Sequence, residues 1–283
     1  MILGLLYGLS FLSAVLVCAG TGAFDTFAFL WLLPVSFAGV YLVLMAVGFG
    51  VFMLYCCFID PEKERQKDSP CFRWFVIQII QVILHVLPVR LRKKGFENAP
   101  TDGRFLLVCN HLDNIDPAFL FHCFPEQAIA FVAKKEAKKM FLVNKVMPKL
   151  LCPYINREND REALKSILRS ISLLKSDTVS VGIFPEGRIN KYHKLAHFRP
   201  GVFKIAQKAN VPIVVCTMTG TNHAIGRILK LKRATVDVHL LEVVSPEWIA
   251  DKTTVEVADY IYDLMAKDLG PENVLTPEEE ENT

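Results

Sequence analysis

The segment Asn110-His111-Leu112-Asp113-Asn114-Ile115-Asp116-Pro117 sets a histidine five residues before an aspartate. An imidazole changes charge near neutral pH, so it can take the proton from an attacking hydroxyl group. A carboxylate beside it can hold the ring in one tautomer. Of the seven histidines only His111 has an aspartate at this spacing, and Asp113 is the rival for the orienting role on spacing alone. Phe105 to Cys109 is an apolar run that reads as strand, and Pro117 suits the first turn of a helix. The two side chains would therefore meet across a strand-to-helix turn, not stacked along one helix face.

A second loop carries Phe184-Pro185-Glu186-Gly187-Arg188 at the end of another strand-like run, Val179 to Phe184. Its glycine lets the backbone turn tightly beside a ligand. Glu186 and Arg188 could hold each other there, or hold a hydroxyl and a phosphate. Between the two loops, Pro153-Tyr154-Ile155-Asn156-Arg157 sets an arginine after a short strand, suited to a bidentate grip on phosphate. There is no Gly-x-Ser-x-Gly turn and no cysteine beside a base in a recognisable motif, so direct attack by an acceptor hydroxyl is preferred to an acyl-enzyme. The eight cysteines include no CxxC pair and no zinc spacing with histidine, and they read as buried thiols in a reducing compartment. No metal site or cofactor is expected.

These loops need a scaffold, and strand-like and helix-like runs alternate after residue 88. Ile129 to Ala133, Tyr154 to Asn156, Val211 to Thr217 and Ala234 to Val244 read as further strands. Helices are expected over Arg161 to Leu174, Val202 to Lys208 and Thr254 to Lys267. The first of these has Asn159 or Asp160 as its cap and Ala163, Leu164, Ile167, Leu168, Ile171 and Leu174 as its inner face. The fold class is α/β, a mixed sheet covered by helices.

Half of the chain is hydrophobic, and the apolar excess is concentrated before Asp60, where Lys and Arg are absent. Ile2 to Ala19 is close to the length needed to cross a bilayer, and its Met-Ile-Leu start lacks the basic region of a signal peptide. In the stretch Ala28 to Ile59, Pro34 is expected to separate an interfacial lead-in from a second span near Phe37 to Phe58. Lys63, Arg65, Lys67 and Arg73 follow that span, whereas the turn Gly20 to Asp25 has no basic residue, so the catalytic part is expected on the cytoplasmic face of a multi-pass membrane protein. Cys71 to Leu87, with Gln78, Gln81 and His85 at helical spacing, reads as an interfacial amphipathic helix followed by Arg90, Arg92, Lys93 and Lys94 near anionic lipid. The resulting organisation is a two-helix anchor over 1–59, a polar linker and interfacial helix over 60–88, a catalytic domain over 89–270 and an acidic, solvated tail over 271–283. The cluster Arg227, Lys230, Lys232 and Arg233 suits lipid headgroups or donor phosphates better than nucleic acid.

Asn-His-x4-Asp, then Ile-Asn-Arg-Glu-Asn, then Phe-Pro-Glu-Gly, then Val-Pro-Ile-Val, in that order, resembles the 1-acyl-glycerol-3-phosphate acyltransferase family from about Val89 to Val244. The resemblance implies His111 as general base, Asp116 as its partner, and Arg157, Glu186, Gly187, Arg188 and Arg199 at the substrate. It implies transfer of a fatty acyl group from acyl-CoA or acyl carrier protein to lysophosphatidic acid, giving phosphatidic acid in membrane phospholipid synthesis. Lys134-Lys135-Glu136 and Phe198-Arg199-Pro200-Gly201 resemble segments that flank the family's site. Two positions depart from the family pattern: Asp113 stands for a serine, and Ile189 stands for an arginine whose charge sits here at Arg188, with Arg199 or Lys191 as replacements. The alternatives are glycerol-3-phosphate or another lysophospholipid as acceptor, and a membrane-tethered binding protein without catalysis.

Overall fold

The buried tetrapeptide Leu-Leu-Val-Cys forms the strand at the middle of this fold. The computed structural model describes residues 2–24, 31–63, 65–156 and 159–282, in two units, 1–63 and 64–283. In the first unit, α1 (Ile2–Gly20) and α2 (Leu32–Cys57) are each long and apolar enough to cross a membrane. They pack through the stacked rings of Tyr7, Phe37 and Tyr41, with Ser10, Ala14 and Cys18 forming the buried stripe of α1. Pro34 does not separate a lead-in from the span. It sits in the first turn of α2, where a backbone N–H has no helical partner to lose.

The second unit begins with α3 (Pro70–Val86), β1 (Val89–Lys94), β2 (Leu106–Cys109), α4 (Asp116–Cys123), β3 (Ile129–Phe131), β4 (Ala133–Lys134), α5 (Phe141–Lys149) and β5 (Tyr154–Ile155). It continues with α6 (Asp160–Lys175), β6 (Ser180–Ile183), α7 (Lys204–Ala209), β7 (Ile213–Thr219), α8 (Thr221–Leu229), β8 (Ala234–Val244), α9 (Pro246–Ala250), α10 (Thr254–Leu269) and α11 (Pro277–Glu281). Six strands form one sheet in the order β1-β8-β7-β2-β6-β3, and β4 and β5 form a separate parallel ribbon. β7, β2, β6 and β3 run parallel, β8 runs antiparallel to β7, and β1 follows β8, so the sheet is mixed as expected. β2 and β6 are buried at every position, which fits the continuous apolar runs of parallel strands covered on both faces.

Several local expectations change. The inner face of α6 does not include Leu164 and Leu168, which are exposed. Ser166 and Ser170 lie inside instead, because the Ser166 hydroxyl donates to the Tyr154 carbonyl at 2.5 Å and draws the helix onto β5. Arg90, Arg92, Lys93 and Lys94 follow α3 directly and belong to edge strand β1, where Arg92 pairs with Asp237. Arg73, one of the basic residues that follow the second span, is buried. It pairs with Asp68 at 2.8 Å and donates to the carbonyls of Ile129 and Leu150, at 2.5 and 3.0 Å. Together with Phe72, Val76, Ile77 and Val82 it fastens one face of α3 to the domain, and Gln78 on that face is buried and bonded to Gln81. The acidic end is not a free solvated tail either. α11 has a capping box at Thr276, Glu279 pairs with Lys194 at 2.8 Å, and Glu280 accepts from the His197 backbone at 3.1 Å.

Candidate active site

Asn110 begins the site. It is buried at the end of β2, its amide nitrogen donates to the Met218 carbonyl at 2.9 Å and its amide oxygen accepts from the Met218 N–H at 2.7 Å. Both bonds reach β7, so the residue preceding His111 is pinned to the neighbouring strand. The chain then turns so that three donors converge on one buried oxygen. Asp116 Oδ2 accepts from the backbone N–H groups of Leu112 (2.7 Å) and Asp113 (2.9 Å) and lies 2.9 Å from His111 Nδ1. Backbone donors and burial hold this carboxylate in place, and it holds the ring so that Nδ1 carries the proton. Nε2 then has the free lone pair. Asp113 is turned away, accepting from the Ile115 N–H at 3.2 Å in a local turn.

Two aromatic rings set the plane of the imidazole. Phe184 stacks on His111 with centroids 4.0 Å apart and planes 13° apart, and Phe131 stacks behind Phe184 at 5.9 Å. The next turn, 184–187, is closed by a 3.1 Å bond from the Gly187 N–H to the Phe184 carbonyl. Gly187 has φ +82°, a left-handed value that glycine adopts without strain. Its open Cα also admits Arg199: a Cβ there would stand 2.8 Å from the Arg199 Nε. The Arg199 N–H donates to the Pro185 carbonyl at 2.9 Å, and its side chain crosses the turn.

Glu186 is turned inward. It is buried, and Oε1 accepts from the His111 N–H at 3.0 Å. Burial pushes its carboxyl well above the usual carboxylate range, the charge of Asp116 adds to that, and the nearby backbone N–H groups of His111 and Ala196 oppose it. The structure thus brings together His111, Asp116, Glu186, Gly187 and Arg199, and leaves Arg188 exposed on the rim. Arg157 lies outside the described residues. The ribbon leading to it pairs Ala133 with Tyr154 and Lys134 with Ile155, while Lys135 and Asn156 both bond Glu162 Oε2.

Asn110, Phe131 and Phe184 have no assigned role in the reading of the sequence: the two rings look like ordinary core aromatics, and the partner of Asn110 is 108 residues away. His193 was likewise invisible. It has φ +53°, and its Nδ1 lies 2.7 Å from the Leu112 carbonyl, tying the loop after Gly187 to the histidine loop. The cysteines near the site are buried thiols, with Cys123 pushed up to about 12 by burial and therefore unreactive near neutral pH. A separate cleft of about 490 Å³ lies on the face of β1, β8 and β7, but its charges are largely spent on one another, Arg92 on Asp237 and His239 on Asp268.

Residues 90–219 match the family model described as Acyltransferase. The matched segment, just under half of the chain, is similar to that family. It contains His111, Asp116, Glu186, Gly187 and Arg199. A probable 1-acyl-sn-glycerol-3-phosphate acyltransferase of Mycoplasma pneumoniae is 28% identical over 166 residues, 57% of this chain and 61% of that protein. A 1-acyl-sn-glycerol-3-phosphate acyltransferase of Borreliella burgdorferi is 28% identical over 146 residues, 51% of this chain and 57% of its own length. The chain thus spans less than two thirds of the length of these relatives. The fold is shared with the crystal structure of the 1-acyl-sn-glycerophosphate acyltransferase of Thermotoga maritima, at a TM-score of 0.59 and 24% identity, covering 78% of this chain and 87% of that one.

Proposed function

We propose that this protein transfers a fatty acyl group from a thioester, acyl-CoA or acyl carrier protein, to the free hydroxyl of 1-acyl-glycerol-3-phosphate, giving phosphatidic acid. The observation that carries the reading is the 2.9 Å contact between His111 Nδ1 and a buried Asp116, which leaves Nε2 as the basic atom in a site with no competing nucleophile motif. His111 Nε2 takes the acceptor's hydroxyl proton as the oxygen attacks the thioester carbonyl. The imidazolium, stabilised by Asp116, then returns that proton to the departing thiolate. Proton and acyl group balance without an enzyme-bound intermediate, and no metal or cofactor takes part.

Arg199 across the Gly187 turn is the best-supported anchor for the acceptor phosphate, and Arg157 is proposed as a second. Glu186, named above as a substrate residue, supports the histidine loop from within. The two apolar helices are proposed to hold the enzyme in a membrane, with the acyltransferase domain on the cytoplasmic side. The test is acyl transfer by the purified full chain from labelled acyl-CoA and acyl carrier protein to lysophosphatidic acid in detergent or liposomes, against matched phosphate-free acceptors. Turnover only with the phosphorylated acceptor is expected. Equal use of a phosphate-free acceptor overturns the acceptor assignment, and no turnover with any donor overturns the reaction.

A further inference from the structure

β7 and β8 are joined at the end of the sheet that carries the histidine loop. β7 is parallel to β2, so Thr219 and the residue after Cys109 leave the sheet at the same end, and Asn110 is bonded to Met218 there. β8 returns antiparallel from Ala234, so the connection 220–233 is rooted at that end on both sides. It contains α8 and a tight turn. Thr221 and Ala224 are buried, whereas Ile225, Leu229 and Leu231 face outward, with Leu229 80% and Leu231 91% exposed. Leucines left in water to this degree forfeit the burial they gain elsewhere, and an apolar patch rimmed by charge marks a contact surface.

The turn is built and not merely slack. The Lys230 and Lys232 N–H groups both donate to the Arg227 carbonyl, at 3.1 and 2.9 Å, and Arg227 Nε donates to the Arg233 carbonyl at 2.8 Å. Leu231 is held at φ +54° between two lysines. Around the leucines stand Arg227, Lys230, Lys232 and Arg233, and 220–233 contains no acidic residue. Two outward leucines ringed by four cations match a bilayer surface, where apolar groups enter the acyl region and cations meet anionic headgroups.

We propose that the α8–β8 finger is a membrane-docking surface for anionic lipid. Docked there, it brings the end of the sheet that bears His111 to the surface from which a lipid acceptor would be drawn. The inference does not depend on turnover, so it stands or falls apart from the acyl-transfer reading.

The test uses the full chain in nanodiscs, with Leu229→Trp as a reporter over the three native tryptophans. In phosphatidylglycerol discs with brominated acyl chains, the added emission should be blue-shifted and quenched relative to unbrominated discs. The loss should be much smaller in brominated phosphatidylcholine discs, and in phosphatidylglycerol discs for a protein that also carries K230E and K232E. Leu231→Trp gives the same readout should the first variant not be recovered folded. Emission unaffected by bromine in anionic discs overturns the proposal. So does a response seen only on adding acyl carrier protein or single-stranded polynucleotide, which would assign the basic ring to a different partner.

Discussion

At the scale of single residues, the arrangement around His111 separates groups that the sequence leaves equivalent. Asp116 collects three donors on one oxygen and Asp113 none from the imidazole. His111→Ala should therefore lower acyl transfer by about 10²–10⁴-fold in a folded protein, the usual cost of losing a general base. Asp116→Asn should also be severely impaired and Asp113→Asn should be nearly normal, as steady-state rates will read. The reverse order would mean that the wrong carboxylate has been assigned. Glu186 makes a separate prediction, on pH. A carboxyl whose folded-state pKa is raised contributes stability at low pH that is lost as pH rises from the ordinary carboxylate range through the raised value. Melting temperatures of the unaltered protein should fall across that window, and Glu186→Gln, whose amide oxygen can still accept from the His111 N–H, should flatten the decline. Parallel pH curves for the two proteins would contradict the raised pKa.

At the scale of elements, much of this scaffold was legible because parallel strands buried on both faces leave unbroken apolar runs, and β2, β6 and β7 all have them. The helix over Arg161 to Leu174 was legible in extent but not in orientation, since Ser166 satisfies itself on a carbonyl of β5 and displaces two leucines to the surface. β1 was missed because four of its six residues are basic and it lies at a sheet edge, where hydrophobic alternation fades. In the site, spacing pointed to His111 and Asp116. The inward turn of Glu186 and the pinning by Asn110 could not be read, as both depend on partners 75 and 108 residues away. Arg73 shows the same limit, a surface-type residue that the fold spends inside. Breaking such a buried pair from one side costs about 3–5 kcal/mol, so Arg73→Met should destabilise the domain strongly in chemical denaturation. Adding Asp68→Asn should recover part of the loss, because the stranded carboxylate is then neutral. No recovery would mean that the two carbonyl bonds, and not the ion pair, dominate.

At the scale of the whole molecule, the charge distribution around α1 and α2 predicts that 20–24 faces away from the cytoplasm and that the segment from Lys63 onward faces it. In cells expressing a variant without the exposed Cys57 and Cys71, a cysteine placed at Thr21 should react with an impermeant reagent, and one at Gln66 should not. The opposite labelling inverts the topology. The strand order has a consequence of a different kind, for the birth of the protein. β2 is flanked by β6 and β7, so while the ribosome is still making residues 110 to 179 the strand leading to His111 has neither neighbour. Its Leu-Leu-Val-Cys edge is then an unpaired, sticky template, and the loop that its pairing must close is among the long ones that slow folding. Synthesis of this chain thus passes through a span in which the strand leading to His111 is open to aggregation. Nascent chains arrested before Ser180 should associate with a hydrophobe-binding chaperone, and those extended past Thr219 should release it.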